Sequence, residues 1–399
     1  MLEQIQMLQA RIEELQRLHD GGEMMTPQIL LHQPYPRSNS ESSSSPTCEP
    51  TFPSPTAWVQ EPPMNLIATL SVPSSFNGML PTKPGAESIF FWLDARAFRS
   101  TTLLPLPFGH PERPSRTLLS TVYLWGCVIS PRNSSGPYSE DGFLDSALKT
   151  LPQDIADFAL LPHLVLQTIQ AEVLLSYYFL HSARPVEGRY HSATAVCLAL
   201  DAGLHVLWSP IQPRAKVYPP FPLVQPILPL VVDTERVNGF WAVWILNAYW
   251  VAVQGTPSAI PSGLPVDTPW PGSARGGATI FSFLNAQDQE ALAPVARLAK
   301  ASTLLEHIIA FADRTTGAPE PVVFASFANR LKTFHSNLPP LPGDMILRIT
   351  HALTDLAIVR LHAPYASTSE VIWFQCLAAA GRIVASLGEV TDSTHPMLV

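Results

Sequence analysis

Fourteen residues from Phe240 to Val253 run on without a charge, a proline or a glycine, and Asn247 is the only amide among their apolar and aromatic side chains. Read as a helix, the run carries Phe240, Trp241, Val243, Trp244, Ile245, Leu246, Tyr249, Trp250 and Val251, so that nearly every face is apolar. Such a helix has to be covered on all sides by other elements. It falls short of the 18 or more residues expected of a membrane span. The segment therefore predicts the central core helix of a helical bundle and no membrane anchor.

The rest of the chain supplies the covering layers. Its 399 residues suffice for two or three domains or one large one. Charged residues make up 14% of them, against about 25% in ordinary globular proteins. Helical patterns extend over about 162–182, 186–202, 233–254, 286–313, 320–337, 344–363 and 368–386. Loops rich in proline, such as 103–114, 210–229 and 257–271, separate them. Alternating strand patterns are largely missing, so the expected fold class is all-α. Asp201-Ala202-Gly203-Leu204 predicts a helix end with glycine in the left-handed conformation and Leu204 folding back. Asp233 or Thr234 is expected to cap the central helix, with Glu235 in its first turn.

The N-terminus has a different pattern. Met1, Ile5, Leu8, Ile12, Leu15 and His19 recur in alternating steps of four and three, a heptad seam flanked by Glu3, Arg11, Glu13, Glu14 and Arg17. Residues 1–20 are read as a dimerising coiled-coil helix paired through Ile5, Leu8, Ile12 and Leu15. An amphipathic helix packed on its own domain is the other reading of the same spacing. Gly21-Gly22 closes this helix, and the proline- and serine-rich stretch 21–63 has too few apolar side chains to order itself. It is expected to be a disordered linker before an all-α domain over 64–399.

Charge and cysteine usage exclude several functions. The formal net charge is −8, and no two Lys or Arg residues are adjacent, so this chain lacks the cation cluster that binding to phosphates needs. Cys48, Cys127, Cys197 and Cys376 are scattered, with no CxxC pair for a structural zinc or iron-sulfur site. Their spacing fits buried thiols in a reducing compartment. No secretory signal opens the chain, which leaves the sequon at Asn133 without a role.

Motifs for catalysis are equally thin. Twelve histidines include no HExxH; His181, His191 and His205 are near enough in sequence to converge on a metal, but surface or core positions are the simpler reading. Ser146 and Lys149 match the SxxK spacing of serine acylases without the partner motifs. Gly272 to Gly277 is glycine-rich but lacks the form of a phosphate loop. The expectation is no enzyme and no catalytic residue. Trp241, Trp244, Tyr249 and Trp250, joined by Tyr123 and Trp125, are either plain core or the lining of a ligand pocket.

Three groups of residues carry a family likeness. The first is Glu235 to Pro261, with Phe240-Trp241, the aromatic helix and Gly255-Thr-Pro-Ser-Ala-Ile-Pro261, followed by Val266-Asp-Thr-Pro-Trp-Pro271. The second is Thr168 to Phe179 with Gly188 to His205, where Ala202 stands in place of the usual Leu. The third comprises Phe91 to Phe98, Leu118 to Gly126 and His351 to Ala363. Together, over about residues 64–390, they resemble the fungal-specific transcription factor domain, the middle homology or xylanolytic activator regulatory region of fungal binuclear zinc cluster (Zn2Cys6) regulators.

The resemblance implies a nuclear regulator of RNA polymerase II transcription that homodimerises through the N-terminal coiled coil. DNA binding would come from a six-cysteine zinc cluster expected upstream of Met1, so zinc is a cofactor only of a protein that contains that cluster. A small-molecule effector or a co-regulator protein is the further partner implied. The alternatives are a cluster-less protein heterodimerising with related regulators, and an all-α small-molecule-binding protein or enzyme.

Overall fold

The computed structural model describes residues 90–107, 109–129, 139–157, 162–208, 234–255, 257–273, 276–287, 293–314, 320–341 and 345–388. Every regular element among them is helical. In chain order these are α1 (Ala95–Thr102), α2 (Arg116–Ile129), α3 (Glu140–Asp157), α4 (Pro162–His181), α5 (Pro185–Asp201), α6 (Thr234–Gln254), α7 (Thr279–Leu284), α8 (Pro294–Arg314), α9 (Pro321–Ser336), α10 (Met345–His362), a 3₁₀ segment (Ala363–Thr368) and α11 (Glu370–Gly388). All lie within the compact unit Gln60–Val399. The all-α expectation is what the structure shows. The coiled-coil residues Ile5, Leu8, Ile12 and Leu15 and the linker 21–63 lie outside the described residues.

Proline punctuates this fold at helix starts as well as in loops. Four helices, α4, α5, α8 and α9, have proline as their first residue. That position tolerates proline because its N–H would have no partner inside the helix and its fixed φ already suits one. The effect corrects one boundary. A single helix over 286–313 would carry Pro294 in its interior, whereas the structure begins α8 at Pro294 and places the short α7 upstream.

The end of α5 follows from its sequence. Gly203 takes φ 68°, its N–H donates to Leu200 O at 3.0 Å, and the Leu204 N–H reaches back to Ala199 O at 3.0 Å. These are the paired bonds of a Schellman motif. Leu204, the apolar partner, is fully buried.

Helix α6 is central. It packs against α4 and α5 on one side and α8 on the other, while α8 packs on α10 and α10 in turn on α9 and α11. Pairs α2/α3 and α2/α4 extend the first side. From Phe240 to Ala248 every residue of α6 is buried, as its all-round apolar pattern demands. Ser176 ties three helices together: its hydroxyl donates to Gly188 O of α5 at 2.7 Å and accepts the indole N–H of Trp250 at 2.8 Å.

A second buried junction joins α4 to α5. His191 Nδ1 lies 2.6 Å from Glu172 Oε2, with both side chains shielded from solvent. The imidazole stacks on Phe179 at a centroid distance of 5.2 Å. Burial pushes the Glu172 carboxyl above the usual range, and the hydrogen bond from His191 opposes that shift. No helix among the described residues is long and apolar enough to cross a membrane.

Candidate functional site

The loop after α6 is bound to the core at both ends, and the bonds use the residues that gave the sequence its family likeness. At the near end, Asn247 reaches out of the apolar helix. Its amide N–H donates to Ser258 Oγ at 2.9 Å and to Glu306 Oε1 at 3.3 Å, and its Oδ1 accepts the Ala259 N–H at 3.0 Å. Ser258 in turn donates to Glu306 Oε1 and accepts the Ile260 N–H at 3.0 Å. The loop is thereby fastened to α6 and α8 through one carboxyl group. Burial raises the Glu306 pKa to about 7, against the hydrogen bond from Ser258, which lowers it. The second oxygen, Oε2, is buried without a hydrogen-bond partner among the described residues.

At the far end, Asp267 and Thr268 hold the chain that leaves α5. Their N–H groups donate to His205 O at 3.0 and 3.3 Å, and Asp267 Oδ1 accepts the Trp208 N–H at 3.0 Å. Thr268 Oγ1 donates to Leu204 O. Two more bonds, Gly277 N–H to Asp267 O at 3.1 Å and Thr279 N–H to Val266 O at 3.0 Å, fold the loop back toward α7.

Between these fastenings lies a half-open cavity of about 540 Å³. Val206, Leu264, Val266, Ile280, Phe281 and Leu284 make its walls apolar, and Asp267 and His307 are the titratable residues lining it. His307 follows Glu306 on α8. Its Nδ1 lies 2.9 Å from Thr303 O, a pure acceptor, so Nδ1 carries the proton. Burial lowers the His307 pKa, which keeps the ring neutral.

The aromatic residues singled out in the sequence lie elsewhere. Trp241 is fully buried, stacks on Trp270 at 4.3 Å and donates its indole N–H to Pro269 O. Trp244 meets Phe240 and Trp241 at 5.8 Å. Trp250 is bound to Ser176, and Tyr249 is half-buried, with its phenol pKa raised by desolvation. Trp125, also fully buried, donates to Leu174 O at 3.0 Å, and Tyr123 packs on Phe143. None of the six lines the cavity. Their rings fill the interior between helices.

The chemical candidates are dispersed in the same way. Lys149 pairs with Asp145 at 2.6 Å on an exposed face, while the Ser146 hydroxyl meets Ser120 at 2.9 Å, so the SxxK residues do not face each other. His191 is engaged with Glu172, His205 is buried beside the loop, and His181 lies against Trp125. No group of metal-ligating side chains forms among the described residues. Glu306 and His307 were not visible as site residues in the sequence. The lone Asn247 in an apolar run was the available signal, because a buried amide needs partners from elsewhere.

Comparison with known proteins finds no matching family model, no matching curated protein and no matching solved structure.

Proposed function

We propose that the chain is the dimerisation and regulatory portion of a transcription factor of the binuclear zinc cluster type. The observation that carries this reading is the use made of the motif residues. Asn247, Ser258, Asp267 and Thr268 are all spent on fastening one loop across α5, α6 and α8. Such fastening builds a scaffold whose state can be relayed, and it commits the Ser258 hydroxyl and the Glu306 carboxyl to holding the loop. In this reading the N-terminal heptads pair two copies, the helical domain restrains or exposes surfaces for co-regulators or responds to an effector, and the protein acts in the nucleus. In this reading zinc is a cofactor, and DNA a partner, only of a protein that carries the zinc cluster.

The test is to tether the chain to a promoter through an unrelated DNA-binding domain and measure reporter transcription in a fungal host. A change of severalfold over the tether alone is expected. An unchanged reporter, at confirmed nuclear abundance, overturns the reading.

A further inference from the structure

Helix α11 has an apolar face that the described residues leave uncovered. Cys376, Ala379 and Ser386 turn one side of it into the domain, where it packs on α10. On the other side Val371, Trp373, Phe374, Leu377 and Val384 are exposed over 54–71% of their surface. Phe374, Leu377, Gly381 and Val384 recur in steps of three and four, so they share one stripe along the helix. The charged residues of α11 are Glu370, its first residue, and Arg382, whose guanidinium donates to Asp355 of α10 at 3.0 Å. From Val371 to Gly381 there is thus no charge to hold the face in water. With about 150–250 Å² for an aromatic side chain and less for leucine and valine, the five large residues expose on the order of 500 Å². That is close to the largest apolar patch a typical monomer leaves open, about 300–600 Å².

The order of residues along this stripe selects the occupant. Large side chains fill its N-terminal half, at Trp373, Phe374 and Leu377, while Gly381 and Ala385 leave room in its C-terminal half. A second α11 laid antiparallel on the first sets Trp373 opposite Ala385, Phe374 opposite Val384 and Leu377 opposite Gly381, so bulk meets space along the contact. Such a pairing is isologous, each copy offering the same patch. Gly381 is a second sign. Glycine weakens a helix interior, and no atom of a neighbouring element lies within 4 Å of where its Cβ would stand, so packing among the described residues gives no reason for it. A closely approaching helix does. Two such faces bury on the order of 1,000 Å², the size at which specific but weak dimers begin. We propose that α11 is a self-association surface on which a second copy of the chain pairs antiparallel, with Leu377 seated on the partner's Gly381. The pairing rests on this face and is independent of the transcriptional reading, so the reporter and the association measurement can fail separately.

The test is sedimentation equilibrium of the full chain carrying Ile5→Asp and Leu8→Asp, which take the N-terminal heptads out of the measurement. Over about 1–200 µM the mass should rise from monomer to dimer and stop there, as a small specific interface allows. Leu377→Glu puts a carboxylate into the contact and should weaken the association at least about tenfold. Gly381→Leu separates a specific pair from indiscriminate sticking. It makes the face more apolar, which would promote sticking, but it fills the seat of the partner's Leu377 and should weaken the pair at least about fivefold. Both positions are exposed, and melting curves establish that each variant folds as its parent does; if one does not, the other decides. A monomer at every concentration would mean that a segment of the same chain, or a different partner, covers the face. That result, growth beyond the dimer, a dimer indifferent to Leu377→Glu, or one unchanged or tightened by Gly381→Leu would each overturn the proposal.

Discussion

Glu172 of α4 and His191 of α5 meet at 2.6 Å in a part of the core closed to solvent, and the second carboxyl oxygen of Glu172 is buried with no hydrogen-bond partner among the described residues. The carboxyl therefore depends on one partner for its hydrogen bonding. Removing that partner leaves a desolvated polar group, which costs more than the pair contributes when intact. His191→Ala should destabilise the chain by roughly 3–5 kcal/mol in urea denaturation. His191→Phe restores the ring that stacks on Phe179 but supplies no N–H, and should recover little of the loss. If Phe recovers most of it, packing and not the hydrogen bond holds this junction.

Glu306 gives stability a dependence on pH with a defined sign. Its folded pKa is raised from 4.5 to about 7, so between these values the folded chain holds a proton that the unfolded chain has released. Stability from this group is thus greatest below about pH 4.5 and falls as pH rises toward 7, by an amount on the order of 3 kcal/mol. Glu306→Gln removes the titration while keeping a carbonyl oxygen for Ser258 and Asn247. Relative to wild type, Glu306→Gln should gain stability between pH 5.5 and pH 8. Thermal or urea denaturation at the two pH values measures the difference, and other titrating groups cancel in the comparison.

Much of this architecture was legible locally. Helices α4, α5 and α6 lie within a residue or so of their expected bounds because proline, the Gly203 cap and the apolar run mark them within a few positions. Helix α3 was harder to read, since Pro152 lies inside it and signals a break that tertiary packing overrides. The cavity and its fastenings were illegible for another reason. Asn247 and Ser258 are separated from Glu306 by 59 and 48 positions, and local periodicity carries no information about contacts at that range. The aromatic residues drew attention by type, yet Trp241 and Trp250 direct their N–H groups at Pro269 O and Ser176 Oγ within the core. The apolar wall of the cavity is instead built largely from Val206, Leu264 and α7, which belong to no distinctive motif, with Val266 alone drawn from one.

The heptad seam makes a prediction about assembly. A seam of fewer than three heptads is marginal as an isolated helix and gains its stability from pairing. A carboxylate at a seam position would be desolvated in the pair but hydrated in the single helix. On the proposed pairing, Ile5→Asp with Leu8→Asp should therefore shift the chain from dimer to monomer in sedimentation velocity, without altering the helical signal of the domain. An unchanged mass would show that the seam does not mediate association.

Gly188 and Trp250 should be energetically coupled. A methyl group at Gly188 would lie 2.6 Å from the far edge of the Trp250 indole, closer than real contacts allow, and at a tight 3.0 Å from Ser176 O. In an exposed helix interior, alanine in place of glycine would stabilise by up to about 1 kcal/mol. Here the overlap opposes that gain, and overpacking a closed core typically costs about 1–3 kcal/mol. Gly188→Ala should thus be destabilising overall. Trp250→Phe removes the ring atoms that the new methyl would strike, at the expense of the indole hydrogen bond to Ser176. In that background Gly188→Ala should cost less, or become favourable, so the double mutant will be more stable than the sum of the two single changes predicts. Urea denaturation of the four proteins measures this coupling. Simple additivity would mean that α4, α5 and α6 have enough slack at their junction to move apart, contrary to the close approach that Gly188 permits.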